Sequence, residues 1–403
     1  MSDDRVTRTS GTGPVAMLKE LGRKLAQGEA GTLLVLLMVG AIWTFFQLQN
    51  DRFLSAGNLT NLMLQQAAVA TISIGVVLIL LLGWIDLSVG AVSGFTASVM
   101  AVLIVNKHFD PALSGLIALG FGALVGLFNG LMVTRFRIPA FIVTLAGSLT
   151  LVGLQLYVLG QTGTINLGDN FITRLTSTFF PPLIGWSFVV LAVVLTLAFS
   201  LTGRASRGRS GLPVESMRSL VLRVAVIAAA FIAMVTVVNQ DRGLPLVVVI
   251  VFALALLFAY ITERTRFGRH LFAVGGNAEA ARRAGIKIDN VRVIVFVLAS
   301  TLAAAGGVLA ASRLLAVNQS SGGSDLLLMA IAGPVVAGTS LFGGRGNVWS
   351  AILGAVVIGS IANGMNLLSF SSSVKFIVTG AVLIVAVTIE SVTRMRRNSG
   401  AAE

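Results

Sequence analysis

The sequence predicts an all-α fold: a polytopic transmembrane bundle of about 12 helical spans, with both termini in the cytoplasm. The first observation is composition, because 56% of the 403 residues are hydrophobic and only 11% are charged. The second is the length of the apolar runs, since at least ten of them approach or exceed the span length. That length is roughly 18 to 20 residues for a helix that crosses a bilayer. The third is the uneven distribution of Lys and Arg among the connections.

The apolar runs divide the chain into a cytoplasmic N-terminal segment (1–30), a transmembrane domain (31–393) and a cytoplasmic tail (394–403). The first run lacks a small-residue cleavage site, so we interpret it as a retained span and not as a signal peptide. We place the spans at 31–48, 66–82, 88–105, 112–133, 138–160, 181–202, 219–238, 245–262, 293–312, 326–342, 347–366 and 375–392.

The basic residues predict the orientation of these spans. With the N-terminus in the cytoplasm, 23 of the 29 Lys and Arg residues fall on the inner side and 6 on the outer side. Cytoplasmic connections of membrane proteins carry such an excess of positive charge. The formal net charge of +13 is therefore explained by membrane topology, and we expect no nucleic-acid partner.

Composition also argues against several kinds of chemistry. Cysteine is absent, which excludes a disulfide framework, a thiolate nucleophile and a sulfur-ligated metal site. His108 and His270 are the only histidines, so we expect no metal centre. No histidine and no pair of carboxylates stands within the spans, so the sequence does not predict a membrane-embedded enzyme.

Asp86 is the acidic residue placed deep among apolar segments, in the stretch "GWIDLSVGAVSG". A charge at the bilayer centre costs at least about 2.5 to 3.5 kcal/mol on insertion scales, so it usually has a partner or a purpose. One interpretation is that Asp86 caps the next helix by accepting from the backbone near Ser88. The other, compatible with the first, is that Asp86 and Ser88 line a translocation pathway.

Two further polar residues occur in similar strings. Asn129 lies in "GALVGLFNGLMV" and Asn363 in "GAVVIGSIANGMNLL", and the predicted topology runs these strings in opposite directions, as an inverted repeat would. For each asparagine we consider an interhelical hydrogen bond and a contact in the translocation pathway.

Residues 263–292 form the longest charged connection between predicted spans, on the inner side. Asn277 is a good helix N-cap, Glu279 suits the first turn, and Gly285 suits the left-handed position after the helix. A helix of about two turns is marginal alone in water, so something must hold it. The stretch is therefore either a solvated loop that enforces topology or a docking helix for a soluble partner. A docking helix is expected to present Ala280, Ala281 and Ala284 as a small, flat face.

The string "FAVGGNAEAARRAGI" is similar to the coupling loop of permease subunits of ATP-binding-cassette importers, within the ribose, xylose and galactose permease group. Glu279, Ala280, Ala281 and Gly285 match the Glu-Ala-Ala-x-x-x-Gly signature of that loop. Three further stretches agree in the same order, namely "FLSAGNLTNLMLQQAAVATISIGVVLIL", "GWIDLSVGAVSG" and "SLFGGRGNVWSAILGAVVIGSIANGMNLL". The resemblance covers most of residues 50–390.

The resemblance implies a sugar permease in the bacterial inner membrane. Its implied partners are the lipid bilayer, a second permease copy, a periplasmic sugar-binding protein and an ATP-binding cassette subunit. The implied contacts to the ATPase are Asn277, Glu279, Ala280, Ala281, Arg282, Arg283 and Gly285. No cofactor is expected in this chain, because none of its five lysines is followed by the Ser or Thr of a phosphate-binding loop. We interpret "GGRGNVW" as a tight turn.

The alternative function is an ion-coupled secondary sugar carrier, for which several intramembrane carboxylates would be expected.

Two departures from the group refine this expectation. An inserted pair of spans within residues 180–240 is typical of the longer, xylose-type permeases, which makes xylose the favoured sugar. Trp84 stands where the group often has a glycine, so the local backbone of this chain is expected to differ there.

Overall fold

A computed structural model of the chain describes residues 31–211, 214 and 216–399. The predicted N-terminal segment and the last four residues of the predicted tail lie outside this part. Fifteen α-helices run through the described residues. They are α1 (Gly31–Gln49), α2 (Ala56–Leu81), α3 (Val89–Val105), α4 (Pro111–Arg135), α5 (Ala140–Leu159), α6 (Phe171–Ser177), α7 (Pro182–Arg209), α8 (Met217–Asn239), α9 (Leu246–Arg264), α10 (Arg266–Gly276), α11 (Ala278–Arg283), α12 (Ile288–Leu314), α13 (Ser324–Val336), α14 (Trp349–Leu367) and α15 (Ser372–Ser399).

Eight of the described helices are long and apolar enough to cross a membrane, which makes the chain a multi-pass membrane protein. They are α2, α4, α5, α7, α8, α9, α12 and α14. The other four predicted spans coincide with shorter apolar helical segments at Val35–Gln49, Val89–Val105, Ser324–Val336 and Ser372–Val385.

Several predicted boundaries differ from the observed ones. Helices α7 and α15 end at Arg209 and Ser399, each seven residues after the predicted end, and α12 begins at Ile288, five residues before the predicted start. Two further differences have a local structural reason. Helix α2 begins at Ala56, ten residues before the predicted start, because the Ser55 hydroxyl caps it by accepting from the backbone N–H of Asn58. Helix α13 ends at Val336, six residues before the predicted end, and Pro334 lies inside it. Gly338 then has a φ of +94°, which a helix does not allow.

Helix α2 lies at the centre of the bundle, and most of its side chains are buried. Its main neighbours are α12, α13 and α14. The second central helix, α12, packs closely on α4 because Gly122, Gly126 and Gly130 recur every four residues on one face of α4. A Cβ at Gly126 would lie 2.4 Å from the carbonyl oxygen of Phe296 in α12. Such small-residue stripes let transmembrane backbones approach each other.

The inserted pair, α7 and α8, packs at the edge of the bundle, and most of its residues are exposed. Three aromatic rings join it to α9. The ring centroid of Phe188 lies 5.8 Å from that of Phe231 and 5.7 Å from that of Phe252. The pair therefore lies at the periphery of the bundle.

Two short antiparallel sheets supplement the helices, and the sequence predicted neither. Strand β1 (Thr164–Asn166) pairs with β4 (Ala316–Asn318), and β2 (Phe179–Phe180) pairs with β3 (Leu244–Pro245). Both pairs join connections that the predicted topology places on the outer side.

Candidate functional site

Three of the four predicted pathway residues lie together, where the connection from α2 to α3 meets α4. Asp86 is 3% exposed in the connection between α2 and α3. Its Oδ1 accepts from the backbone N–H of Ser88 at 2.7 Å and from the Ser88 hydroxyl at 2.6 Å. The Ser88 Oγ in turn accepts from Nδ2 of Asn129 at 3.2 Å. We call Asp86, Ser88 and Asn129 the inner polar cluster.

The predicted bond from Asp86 to the backbone near Ser88 is present, but Asp86 is not the N-cap residue. Helix α3 begins at Val89, and Ser88 occupies the cap position. Asp86 instead closes a turn two residues long, which Asp side chains commonly do before a helix. Its second oxygen, Oδ2, is buried and has no hydrogen-bond partner among the described residues.

Asn363 belongs to a different contact. Its Nδ2 donates to Oδ1 of Asn58 at 3.1 Å, and Nδ2 of Asn58 donates back to Oδ1 of Asn363 at 2.9 Å. The interhelical hydrogen bond, one of the two interpretations, is therefore present between α2 and α14. The pair satisfies both amides inside the bundle.

The segment that resembles a coupling loop folds into α10 and α11, and its caps are as predicted. Oδ1 of Asn277 accepts from the backbone N–H of Ala280 at 2.9 Å, and Gly285 follows the helix with a φ of +82°. Arg282 and Arg283 make exposed ion pairs with Glu279 at 3.6 and 3.4 Å. The observed helix has six residues, which agrees with the predicted length of about two turns. We call α11 the coupling helix.

The prediction for Ala281 was wrong. Ala281 is 4% exposed and lies in a buried apolar cluster with Leu271, Val274 and Ile288, so it does not belong to an exposed docking face. The coupling helix is held by its own chain, because one side of so short a helix faces α10 and α12. The exposed part of the segment comprises Asn277, Glu279, Ala280, Arg282, Arg283, Ala284 and Gly285.

A backbone junction joins the coupling segment to the connection that carries Asp86. A Cβ at Gly275, near the end of α10, would lie 1.7 Å from the carbonyl oxygen of Leu81. Gly343 has a φ of +83°, and a Cβ there would lie 2.7 Å from the Gly275 oxygen and 2.8 Å from the Gly83 nitrogen. Gly344 donates its backbone N–H to the Leu81 oxygen at 2.9 Å. We call Leu81, Gly83, Gly275, Gly343 and Gly344 the glycine junction.

Trp84 makes a second link to the coupling segment. The guanidinium of Arg292 lies 4.5 Å from the centroid of the Trp84 ring, and the Phe296 ring lies 5.9 Å from it. Arg292 and Phe296 are in α12, which follows the coupling helix directly. The aromatic face of Trp84 attracts the guanidinium of Arg292. Trp84, which stands where the group often has a glycine, therefore links the connection that carries Asp86 to α12.

A cavity of about 390 Å³ lies near the other end of α12, around Arg313 and Leu314. At 1.5 Å per residue, this end of the helix is roughly 40 Å from the coupling helix. The lining includes Gln65 and Gln66 of α2, and none of the four predicted pathway residues belongs to it. Two adjacent glutamines inside an apolar run were the available signal, because polar side chains within spans usually have a function. We call this space the distal cavity.

Among the described residues, no three His, Asp or Glu side chains are grouped as a metal site requires. The chemistry that the site offers is hydrogen bonding by amides, hydroxyls and a buried carboxylate. The segment that resembles a coupling loop reaches the connection that carries Asp86 through the backbone contacts of the glycine junction, and α12 reaches it through the contact of Arg292 with Trp84. This arrangement suits binding and movement of a solute better than bond-breaking chemistry.

Comparison with known proteins agrees with this reading. A family model described as "Branched-chain amino acid transport system / permease component" matches residues 58–387. The chain is 33% identical to the xylose transport system permease protein XylH of Escherichia coli, over 88% of this chain and 90% of that protein. It is 31% identical to XylH of Haemophilus influenzae, over 91% and 98%. It is also 31% identical to the ribose import permease protein RbsC of Bacillus subtilis, over 85% and 87%. No solved structure matches the chain significantly. The chain therefore belongs to this family of permease components, which form membrane pathways and are not themselves enzymes.

Proposed function

We propose that the chain is the transmembrane permease subunit of an ATP-driven pentose importer, with xylose as its sugar. The observation that carries this proposal is the match over most of the chain to permeases named for xylose and ribose. The exposed, capped helix between α10 and α12 supports it, because an importer needs a surface on which a soluble ATPase can act. The peripheral pair α7 and α8 favours xylose, because xylose-type permeases carry such an insertion.

The complete importer has further parts. ATP is bound by a separate cassette subunit, since this sequence lacks a phosphate-binding loop. A periplasmic sugar-binding protein delivers the sugar, and two permease copies together enclose the pathway. The chain crosses the bacterial inner membrane twelve times, with both termini and the coupling helix on the cytoplasmic side.

The geometry suggests how the ATPase moves the pathway. The cassette subunit contacts the exposed side of the coupling helix. The main contact residues are Glu279, Ala280 and Arg283. Ala281 anchors this helix in the core, so a displacement of the helix is passed to α10 and α12. At the glycine junction, α10 presses on Leu81 without any flexible side chain between them. The connection that carries Asp86 follows directly, so the inner polar cluster moves with the coupling segment.

Transport by reconstituted vesicles tests this proposal. Vesicles that contain the permease, its cassette subunit and its binding protein should accumulate labelled xylose only when ATP is supplied to the cassette side. Ionophores that dissipate proton and sodium gradients should leave the uptake unchanged. Uptake driven by an ion gradient, without ATP and without the cassette subunit, would instead show the ion-coupled carrier.

A further inference from the structure

The distal cavity contains a polar side chain with an unused hydrogen-bonding atom. Gln66 is 9% exposed and lines the cavity, and its Oε1 is buried with no partner among the described residues. A Cβ at Gly359 of α14 would lie 2.2 Å from Cδ of Gln66, so the glycine leaves the space that this side chain fills. That oxygen has almost no accessible surface, so a ligand in the cavity cannot reach it. The amide Nε2 of Gln66 is not buried in this way and makes no hydrogen bond to the described residues, so it is the group that a ligand hydroxyl can meet.

The opposite wall of the cavity is a fixed backbone segment. Nε2 of Gln155 in α5 donates to the carbonyl oxygens of Asn318 and Ser321, both at 3.0 Å. Gly94 admits this segment, because a Cβ there would lie 2.1 Å from the Ser321 oxygen. Ser320 and Ser321 are thereby held at the cavity wall. Hydrogen bonds and close packing therefore fix the position of this part of the cavity wall.

The charges of the lining indicate the class of ligand. Arg313 and Asp325 are the charged residues among those that line the cavity, and no ion pair joins them in the described part of the chain. The remaining polar groups are amides and hydroxyls, which both donate and accept. Apolar side chains such as Val69, Leu326 and Met329 cover the rest. A lining with one positive charge, one negative charge and many neutral polar groups suits a neutral molecule with several hydroxyls and C–H faces. The volume of the distal cavity falls within the range of small-ligand sites.

We propose that the distal cavity is a pentose-binding site of the permease, in which Gln66, Arg313 and Asp325 make hydrogen bonds to sugar hydroxyls. This assignment rests on the proposed import of a pentose, and it adds the place where the permease itself contacts the sugar. The site lies at the end of the bundle opposite the coupling helix.

The absence of cysteine from this chain allows a direct occupancy test. Ala362→Cys places a single thiol on the cavity wall, and Lys107→Cys places one at an exposed connection that does not line the cavity. In the purified complex of permease and cassette subunit, xylose should slow the reaction of a small thiol reagent with the thiol at 362 and leave that at 107 unchanged. Xylonate, the carboxylate analogue, should protect far less. The charges of Arg313 and Asp325 cancel, so the lining offers no net positive charge to an anion.

Gln66→Met then tests the contact itself, since methionine has the same unbranched length and offers no amide. We expect half-protection of the thiol at 362 to require about tenfold more xylose, the effect of losing one hydrogen bond. The matched control is Gln319→Met, the same change on an exposed glutamine outside the lining. Normal yield and cassette retention of both variants would show that they fold.

The outcomes separate this assignment from the proposed function. If the wild-type importer moves xylose in vesicles but xylose gives no protection at 362, the cavity is not a sugar site while the importer stands. If Gln66→Met and Gln319→Met require the same xylose concentration, Gln66 is not a contact. If the wild-type vesicles import neither xylose nor ribose, the proposed function is wrong and the assignment falls with it.

Discussion

The backbone carbonyl of Leu81, at the end of α2, accepts a hydrogen bond of 2.9 Å from the N–H of Gly344. The same oxygen lies so close to Gly275 that a Cβ there would be 1.7 Å away. One carbonyl group thus contacts both the turn after α13 and the end of α10. Because backbone contacts of this kind have little freedom to adjust, they are suited to transmit a displacement from the coupling segment to the centre of the bundle.

Gly275→Ala should break the contact between the coupling segment and Leu81 at the glycine junction. The new methyl group must push α10 away from Leu81, so we expect ATP-driven uptake to fall by about tenfold or more while the cassette subunit still binds. The matched control is Gly276→Ala, because a Cβ at Gly276 meets nothing within 4 Å. Equal uptake by the two variants, measured at equal protein amounts in vesicles, would contradict a role for the junction.

Asp86→Asn should be tolerated better than Asp86→Leu. Asparagine keeps an oxygen that accepts from the Ser88 N–H and hydroxyl, whereas leucine leaves both donors unpaired. The unpaired groups should cost about 1 to 3 kcal/mol each in free energy of unfolding. Thermal unfolding and uptake at matched membrane levels check this. If the asparagine variant is as impaired as the leucine variant, the carboxylate charge is needed and the turn is not its main role.

The pair Asn58 and Asn363 should behave as a unit. Asn58→Leu leaves the buried amide of Asn363 without its partner and should lower the free energy of unfolding by about 1 to 3 kcal/mol. Adding Asn363→Leu removes the orphaned amide, so the double variant should lose less than the sum of the two single variants. Additive losses in detergent unfolding would show that the two amides do not stabilise each other.

Ser210, at the end of α7, tests the twelve-span orientation. Arg204, Arg207, Arg209 and Arg218 surround it in sequence and place it on the cytoplasmic side. A cysteine at this position is the only thiol in the chain. It should react with a membrane-impermeant reagent only after the inner face is opened. Labelling of intact cells would overturn the predicted orientation.

Features that depend on neighbouring residues were predictable from the sequence. The apolar runs marked the helices because span length is set by bilayer thickness. The hydrogen bond from the Ser88 N–H to Asp86, the cap by Asn277 and the positive φ of Gly285 each depend on a few consecutive residues, although Ser88 and not Asp86 occupies the cap position of α3. Their chemistry was therefore visible in the sequence.

Features that join distant parts of the chain were not predictable in this way. The contact of Gly275 with Leu81 and the lining of the distal cavity depend on how helices pack, which hydropathy does not specify. Ala281 was misplaced for the same reason. In a helix of six alanine-rich residues, no apolar stripe distinguishes the buried side from the exposed one.

The central claim is that a partner ATPase drives this permease through the exposed side of the coupling helix. Ala280→Trp tests it most directly, because Ala280 is exposed while its neighbour Ala281 is buried. The measurement is retention of the cassette subunit on the immobilised permease, followed by ATP-driven xylose uptake in vesicles. We predict that Ala280→Trp is produced in normal amounts and unfolds at the wild-type temperature, but loses both retention and uptake. Ala281→Trp should instead lower the yield of folded permease, since its side chain enters the core. Wild-type retention together with wild-type uptake for Ala280→Trp would contradict the claim.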